Sequence, residues 1–216
     1  MTKLARRRAN GEPLQYILGE WEFYGYPMKV GKGVLIPRPE TELLVDLAKE
    51  YCVRNSVVFD LCAGTGCVGI AIAKETGCEV IAVEKSSEAI EYLQQNIVLN
   101  QVNIKIIQAD ILQNTYAADC ILINPPYLSK SEMQELQKEV THEPEMALYG
   151  GEDGLNFYRN FFTEWGNDIK RSRNLFACEV GDGQAQAVCE MMRGIGLNPQ
   201  IKKDYNGIDR VVYSVD

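Results

Sequence analysis

The tetrapeptide Asn124-Pro125-Pro126-Tyr127 closes the apolar run Cys120-Ile121-Leu122-Ile123. Proline has no N–H and cannot continue a sheet ladder, so the two prolines must end a strand and hold Asn124 and Tyr127 on a rigid step. A planar substrate nitrogen has its lone pair delocalised, so it needs aiming more than it needs a strong base. Two acceptors, the Asn124 side-chain oxygen and the Pro125 carbonyl, can hold its two N–H groups. Pro125-Pro126 removes competing donors and conformers, and Tyr127 can cover the flat group. Catalysis by such a clamp comes from orientation and from excluding water around an in-line displacement.

A second constellation lies upstream. After Val57-Val58-Phe59 the chain runs Asp60-Leu61-Cys62-Ala63-Gly64-Thr65-Gly66-Cys67-Val68-Gly69, and its glycines spell G-x-G-x-x-G. The physics is a tight turn that brings backbone against a ligand at a helix N-terminus, which suits a dinucleotide or S-adenosylmethionine. Asp60 ends the strand, where a carboxylate would repel a pyrophosphate and attract the ammonium and sulfonium of S-adenosylmethionine. That favours the methyl donor. Glu84, eighteen residues after Gly66, ends the next apolar run, where it can accept two hydrogen bonds from a ribose diol. Asp110 and Ile111 follow a third strand; Asp110 could meet the exocyclic amine of adenine and Ile111 the purine face.

These residues must be held by alternating strands and helices. Strands are expected over 56–60, 79–84, 103–109, 119–124 and 174–180. Helices are expected over 39–52, 67–75, 86–100, 129–140, 153–169 and 183–193, with Ser86 as a cap and 129–140 as a solvated cover. Residues 199–205 and 210–215 flank Asn206-Gly207 and predict an antiparallel ending. Continuous apolar strands separated by helices mean a mostly parallel sheet covered on both faces, with ligands at the carboxyl ends of its strands. Residues 15–36 predict a short hairpin, with Trp21, Phe23 and Tyr24 in its core, and residues 1–14 a polar leader or linker. Residues 1–36 are thus read as linker and hairpin extension, and 37–216 as the catalytic domain. Arg38, between two prolines, could brace the cofactor carboxylate or the substrate loop, or lie exposed.

Composition narrows the class. A hydrophobic fraction of 46% against 24% charged residues supports a sizeable core. Acids outnumber Lys plus Arg by 30 to 22, for a net charge of −8, which argues against indiscriminate duplex binding. Seven cysteines without a C-x-x-C pair, beside the single His142, predict reduced thiols and no metal site. His142 is assigned no catalysis. No apolar stretch reaches the roughly 20 residues that span a membrane, and the basic start has no apolar region behind it. A soluble, cytoplasmic protein is expected, with neither membrane nor nucleic acid as a direct partner.

With Asp60–Gly66 and Asn124-Pro125-Pro126-Tyr127 in place, the sequence resembles class I S-adenosylmethionine methyltransferases that modify nitrogen, a group that includes adenine-N6 and guanine-N2 enzymes. Three more stretches narrow the resemblance: Gly11-Glu12-Pro13-Leu14-Gln15-Tyr16-Ile17-Leu18-Gly19, Leu35-Ile36-Pro37-Arg38-Pro39-Glu40-Thr41-Glu42, and Glu143-Pro144-Glu145-Met146-Ala147-Leu148 with Gly150-Gly151 and Asp153-Gly154-Leu155. They are similar to the peptide chain release factor glutamine-N5 methyltransferases. The resemblance implies a Rossmann-like α/β fold, with a mostly parallel seven-stranded sheet, an antiparallel C-terminal strand and the hairpin extension. It implies methyl transfer from S-adenosyl-L-methionine, leaving S-adenosyl-L-homocysteine, to the glutamine of a Gly-Gly-Gln motif in a release factor partner. By the same resemblance Cys62, Ala63, Gly64, Thr65 and Gly66 form the cofactor loop, with Asp60 and Asn124 beside it. Glu84 holds ribose, Asp110 and Ile111 flank adenine, and Asn124, Pro125, Pro126 and Tyr127 grip the glutamine. Family members commonly carry a helical N-terminal domain ahead of the region where this chain begins. The alternatives are a nucleic-acid base N-methyltransferase, which predicts a basic surface, a nicotinamide oxidoreductase, which rests on the glycine pattern alone, and a non-catalytic adapter, which leaves the clamp unexplained.

Overall fold

The strands alternate their side chains between two apolar layers, so each must be covered on both faces. The computed structural model describes residues 3–116, 118–171 and 174–215. Its central seven-stranded sheet contains β3 (Val57–Leu61), β4 (Glu79–Glu84), β5 (Ile104–Gln108), β6 (Cys120–Ile123), β9 (Leu175–Glu179), β10 (Gln200–Lys203) and β11 (Asp209–Val215), in the order β10-β11-β9-β6-β3-β4-β5. The pairs β5/β4, β4/β3, β3/β6 and β6/β9 are parallel, and β11 is antiparallel to both β9 and β10. The expected parallel sheet with an antiparallel ending is therefore present.

One face of the sheet, carrying Val58, Val80, Ala82 and Leu122, packs on α3 (Glu42–Tyr51), α4 (Cys67–Thr76) and α5 (Ser87–Asn100). The other, carrying Phe59, Val83, Ile121 and Phe176, packs on α7 (Asn156–Ile169) and α8 (Ala185–Gly194). Trp165 and Phe161 are almost fully buried there, and each such side chain contributes about 1.5–3 kcal/mol. Sheet order reverses between β3 and β6, where Leu61 pairs with Ile123, so the chain after each strand emerges side by side.

The hairpin joins β1 (Glu20–Phe23) to β2 (Tyr26–Lys29) through Tyr24 and Gly25, both at positive φ, the two-residue turn whose twist matches the strands. Phe23 and Met28 from the hairpin enter the core shared with α3, α4 and α5, β2 lies against α5, and Trp21 and Tyr24 pack at the edge.

Three expectations change. Residues 3–9, expected in a polar leader or linker, form helix α1 (Lys3–Ala9), and the start of the stretch expected as a hairpin forms helix α2 (Leu14–Leu18). Lys, Leu, Ala and Arg are good helix formers, Arg8 pairs with Glu139 at 2.6 Å, and Arg7 pairs with Glu12. No residue of α1 is buried, so it carries no apolar period to read. The helix expected over 129–140 ends early as α6 (Lys130–Gln134), opened by a Ser129–Glu132 capping box. Just before it, β7 (Leu128–Ser129) pairs with β8 (Tyr149–Gly151), a two-stranded unit too short for a sequence period. Finally, α7 begins at Asn156 because Gly154, at φ 75°, still turns the chain.

Candidate active site

A cavity of about 350 Å³ opens at the carboxyl ends of β3, β4, β5 and β6. It is lined by Asp60, Cys62, Ala63, Gly64, Thr65, Glu84, Asp110, Ile111, Asn124 and Pro126, so most residues singled out from the sequence meet there. Gly66 and Pro125 stand behind this wall, and Tyr127 lines a neighbouring cavity of about 220 Å³. Leu35, Arg38, Asn124 and Ala147 are common to both cavities. Asn124 therefore stands where two binding spaces meet.

The glycine loop is shaped by its own packing. Gly66, at φ 78°, starts α4, and a Cβ there would lie 2.1 Å from the Leu93 side chain of α5. The third glycine of the pattern, Gly69, lets its N–H reach Asp60 Oδ2 at 2.9 Å, where a Cβ would also crowd that oxygen. Asp60 is thus a buried cap on the first turn of α4 as well as part of the cavity wall. Burial pushes its carboxyl up to about 7, against the opposing Gly69 hydrogen bond. The charge expected of Asp60 is therefore only partly present near neutral pH.

Glu84 is buried and bridges two backbone amides: Oε2 accepts from the Gly64 N–H at 2.8 Å and Oε1 from the Ser86 N–H at 2.7 Å. Each oxygen keeps a lone pair, so the carboxylate can shape the loop and still face a diol. Asp110 pairs with Lys85 at 2.9 Å and accepts from the Leu112 N–H, and these bonds hold its carboxyl below the usual range. Ile111 is buried in the wall, with its carbonyl accepting from Trp165 Nε1 at 2.7 Å.

The second cavity is built on a polar network. Asn124 Nδ2 donates to Thr41 Oγ1 at 3.2 Å, and Thr41 Oγ1 donates to Glu179 Oε2 at 2.7 Å. The Tyr127 hydroxyl donates to Glu179 Oε1 at 3.4 Å. Glu179 ends β9 and is 1% exposed; its burial pushes the carboxyl up to about 7. Arg38 is neither free nor fully exposed. Its Nη2 lies 2.5 Å from Glu143 Oε1, its Nη1 donates to the Ile36 carbonyl, and the Ile36 N–H donates to Glu143 Oε2. This clasp ties the segment before α3 to the one before β8. Among the described residues no group of three or more His, Cys, Asp or Glu is arranged to hold a metal ion.

Residues 39–152 match the family described as "Methyltransferase small domain". The chain is 41% identical to the release factor glutamine methyltransferase of Thermodesulfovibrio yellowstonii over 97% of this chain and 78% of that protein. It is 38% identical to the enzyme of the same name from Fusobacterium nucleatum, over 97% of this chain and 61% of that protein. The chain belongs to the release factor glutamine methyltransferase family. Its fold is shared with a methyltransferase from Pyrococcus furiosus at a TM-score of 0.66 and 16% identity, covering 89% of this chain and 90% of that one.

In this methyltransferase-family chain two further polar residues line the cavities, Thr41 the larger and Glu179 the smaller, and sequence pattern alone assigns neither a role. Thr41 lies in the helix expected over 39–52 and Glu179 in the strand expected over 174–180. The signal for Glu179 was available, since an acid at the carboxyl end of a buried strand is the rule that singled out Glu84. Thr41 lies in the stretch Leu35–Glu42 that carries the family resemblance, but its contact with Glu179 spans 138 residues of sequence and no local pattern shows it.

Proposed function

We propose that this methyltransferase transfers a methyl group from S-adenosyl-L-methionine to the side-chain amide nitrogen of the glutamine in a Gly-Gly-Gln motif of peptide chain release factors. The observation that carries the reading is Asn124, whose side chain lies on the shared wall of the two cavities.

The larger cavity suits the methyl donor in size and chemistry. Its volume falls within the range of small-molecule sites, and its wall carries Glu84 and Asp110 for a diol and an amine. When bound, S-adenosylmethionine supplies a methyl carbon made electrophilic by its sulfonium. The chain's own residues then bind and aim. Glu84 holds the ribose, Asp110 and Ile111 flank the adenine, and residues 62–65 approach the ligand while Gly66 behind them turns the loop into α4. Asn124 Oδ1 and the Pro125 carbonyl each accept one N–H of the glutamine amide. As the nitrogen takes the methyl, the methyl–sulfur bond would break to leave neutral S-adenosyl-L-homocysteine, and the nitrogen would release one of those protons to solvent. Tyr127 covers the amide from the smaller cavity and, with Leu128 and Leu148 beside it, excludes water. A fixed acceptor pair in a dry site aligns a weak nucleophile without a strong base.

The test is mass spectrometry of a release factor incubated with S-adenosylmethionine and the enzyme. One added methyl on the Gly-Gly-Gln glutamine is expected, and Asn124→Ala should slow single-turnover transfer about a hundred- to a thousandfold while cofactor affinity stays close to wild type. Methylation of an adenine or guanine amine with none on glutamine would overturn the assignment. Wild-type turnover by Asn124→Ala would remove the clamp.

A further inference from the structure

We propose that Glu179 is a positioning residue that sets which way the Asn124 amide faces, acting through the hydroxyl of Thr41. The proposal rests on the reading of Asn124 as an acceptor for the substrate amide. A carboxylate has no proton to give, so in the 2.7 Å contact between Thr41 Oγ1 and Glu179 Oε2 the threonine must donate. Threonine has one hydroxyl proton. Once that proton is committed, Thr41 offers Asn124 only lone pairs, and the 3.2 Å contact admits the Asn124 NH₂ but refuses its oxygen. The Asn124 oxygen is thereby left for the cavity side, as an acceptor for a substrate N–H. An acceptor-only group thus fixes the polarity of the relay from Glu179 through Thr41 to Asn124.

Burial disfavours the charged form of Glu179, and its hydrogen bonds and one nearby cation offset that in part. The Tyr127 hydroxyl donates to its other oxygen at 3.4 Å. Arg210, on β11, favours the charged form, and Glu40, in the turn before α3, opposes it. Tyr158 OH donates to the Glu179 backbone carbonyl at 2.8 Å and steadies the strand end. Gln184 Nε2 donates to the Tyr127 carbonyl at 2.8 Å and steadies the loop opposite. A protonated Glu179 could instead donate to Thr41, freeing the threonine proton for the Asn124 oxygen. The amide would then present NH₂ to a substrate NH₂, and the two would repel.

Three variants test the relay. Glu179→Gln keeps the shape but supplies a donor that can reverse the polarity. Thr41→Val removes the relay, and Thr41→Ser restores the hydroxyl. Single-turnover methyl transfer to a release factor is measured with both substrates saturating, alongside S-adenosylmethionine affinity by calorimetry. Glu179→Gln and Thr41→Val should slow transfer at saturation about tenfold or more, with cofactor affinity held within about twofold. Thr41→Ser should recover most of the rate. In the wild type the rate should rise with pH through about 7, as Glu179 loses its proton, and Thr41→Val should lack that rise. Wild-type rates in Glu179→Gln and Thr41→Val, or a Thr41→Ser as slow as Thr41→Val, overturn the relay while the function stands. A wild-type enzyme that methylates no glutamine overturns the functional reading itself and the relay with it. If Glu179→Gln does not fold, the Val/Ser pair at Thr41 and the pH profile still decide.

Discussion

Asp60 holds its proton to a higher pH in the folded chain than in water, because burial at the end of β3 disfavours its charge more than the Gly69 N–H supports it. The consequence for stability has a definite sign. Below about 4 the carboxyl is protonated in both states. As pH rises, the unfolded chain ionises first, while the folded chain waits until about 7, so stability falls across that window and the loss is complete above it. Asp60→Asn keeps an oxygen for Gly69 and removes the ionisation. At pH 8 it should be more stable than wild type by about 1 kcal/mol or more, roughly 2–4 °C in Tm, with the gap closing toward pH 4. A gap that is constant with pH in thermal melts would show that burial of this charge is not the cause. The same residue marks how far sequence reaches at this scale. Position at a strand end was legible for Asp60, Glu84 and Asn124, since it follows from where an apolar run stops. Ionisation was not, because it depends on solvent exclusion by distant segments. Partnership was not legible either: Thr41, Asn124 and Glu179 come from three separate stretches of chain.

Elements follow the same division. The strands and helices that bury a face declared themselves through their period, and α3, α4, α5 and the sheet strands stand close to where the apolar pattern sets them. Elements held by few contacts did not: α1 buries nothing, and β7 and β8 pair over two or three residues each. The hairpin is an intermediate case, legible as a hairpin but not in what anchors it. Asn96 of α5 supplies the anchor, since it is fully buried, accepts from the Lys29 N–H at 2.6 Å, and donates to the Lys29 carbonyl and the Thr65 carbonyl. One amide therefore ties β2 to the glycine loop. Asn96→Ala leaves these backbone groups without partners and should destabilise the protein by about 2–4 kcal/mol in denaturant titrations. Hydrogen exchange should quicken in residues 20–29 and 63–66 before it does in β9 or β6. Uniform quickening throughout the sheet would mean that the hairpin is not anchored locally.

At the scale of the whole molecule, an excess of acids gives a net charge of −8, and the larger cavity shares that bias. Its wall includes Glu84, which is held by backbone amides and not by a cation, while the lining charges Arg38, Lys85 and Asp110 are paired, Arg38 with Glu143 and Lys85 with Asp110. A ligand with a sulfonium and an ammonium enters a favourable field there, whereas a pyrophosphate brings two negative charges into an acidic wall. S-adenosylmethionine at a hundredfold excess over its Kd should therefore stabilise the protein by about 2.7 kcal/mol, which is roughly 5–10 °C in Tm for a chain of this size. NADH at the same concentration should leave Tm within about 1 °C of the free protein. Glu84→Gln should reduce the S-adenosylmethionine shift, because it replaces a charged acceptor for the ribose with a neutral one and loosens the Gly64 and Ser86 amides it now holds. Added salt separates the two contributions. Screening over a Debye length of about 10 Å at 0.1 M weakens the long-range attraction from the acidic wall but leaves short hydrogen bonds in place. The affinity of wild type should thus fall with salt more steeply than that of Glu84→Gln. A larger Tm shift with NADH than with S-adenosylmethionine, or salt slopes that are the same in both proteins, would refute the charge argument for the choice of ligand.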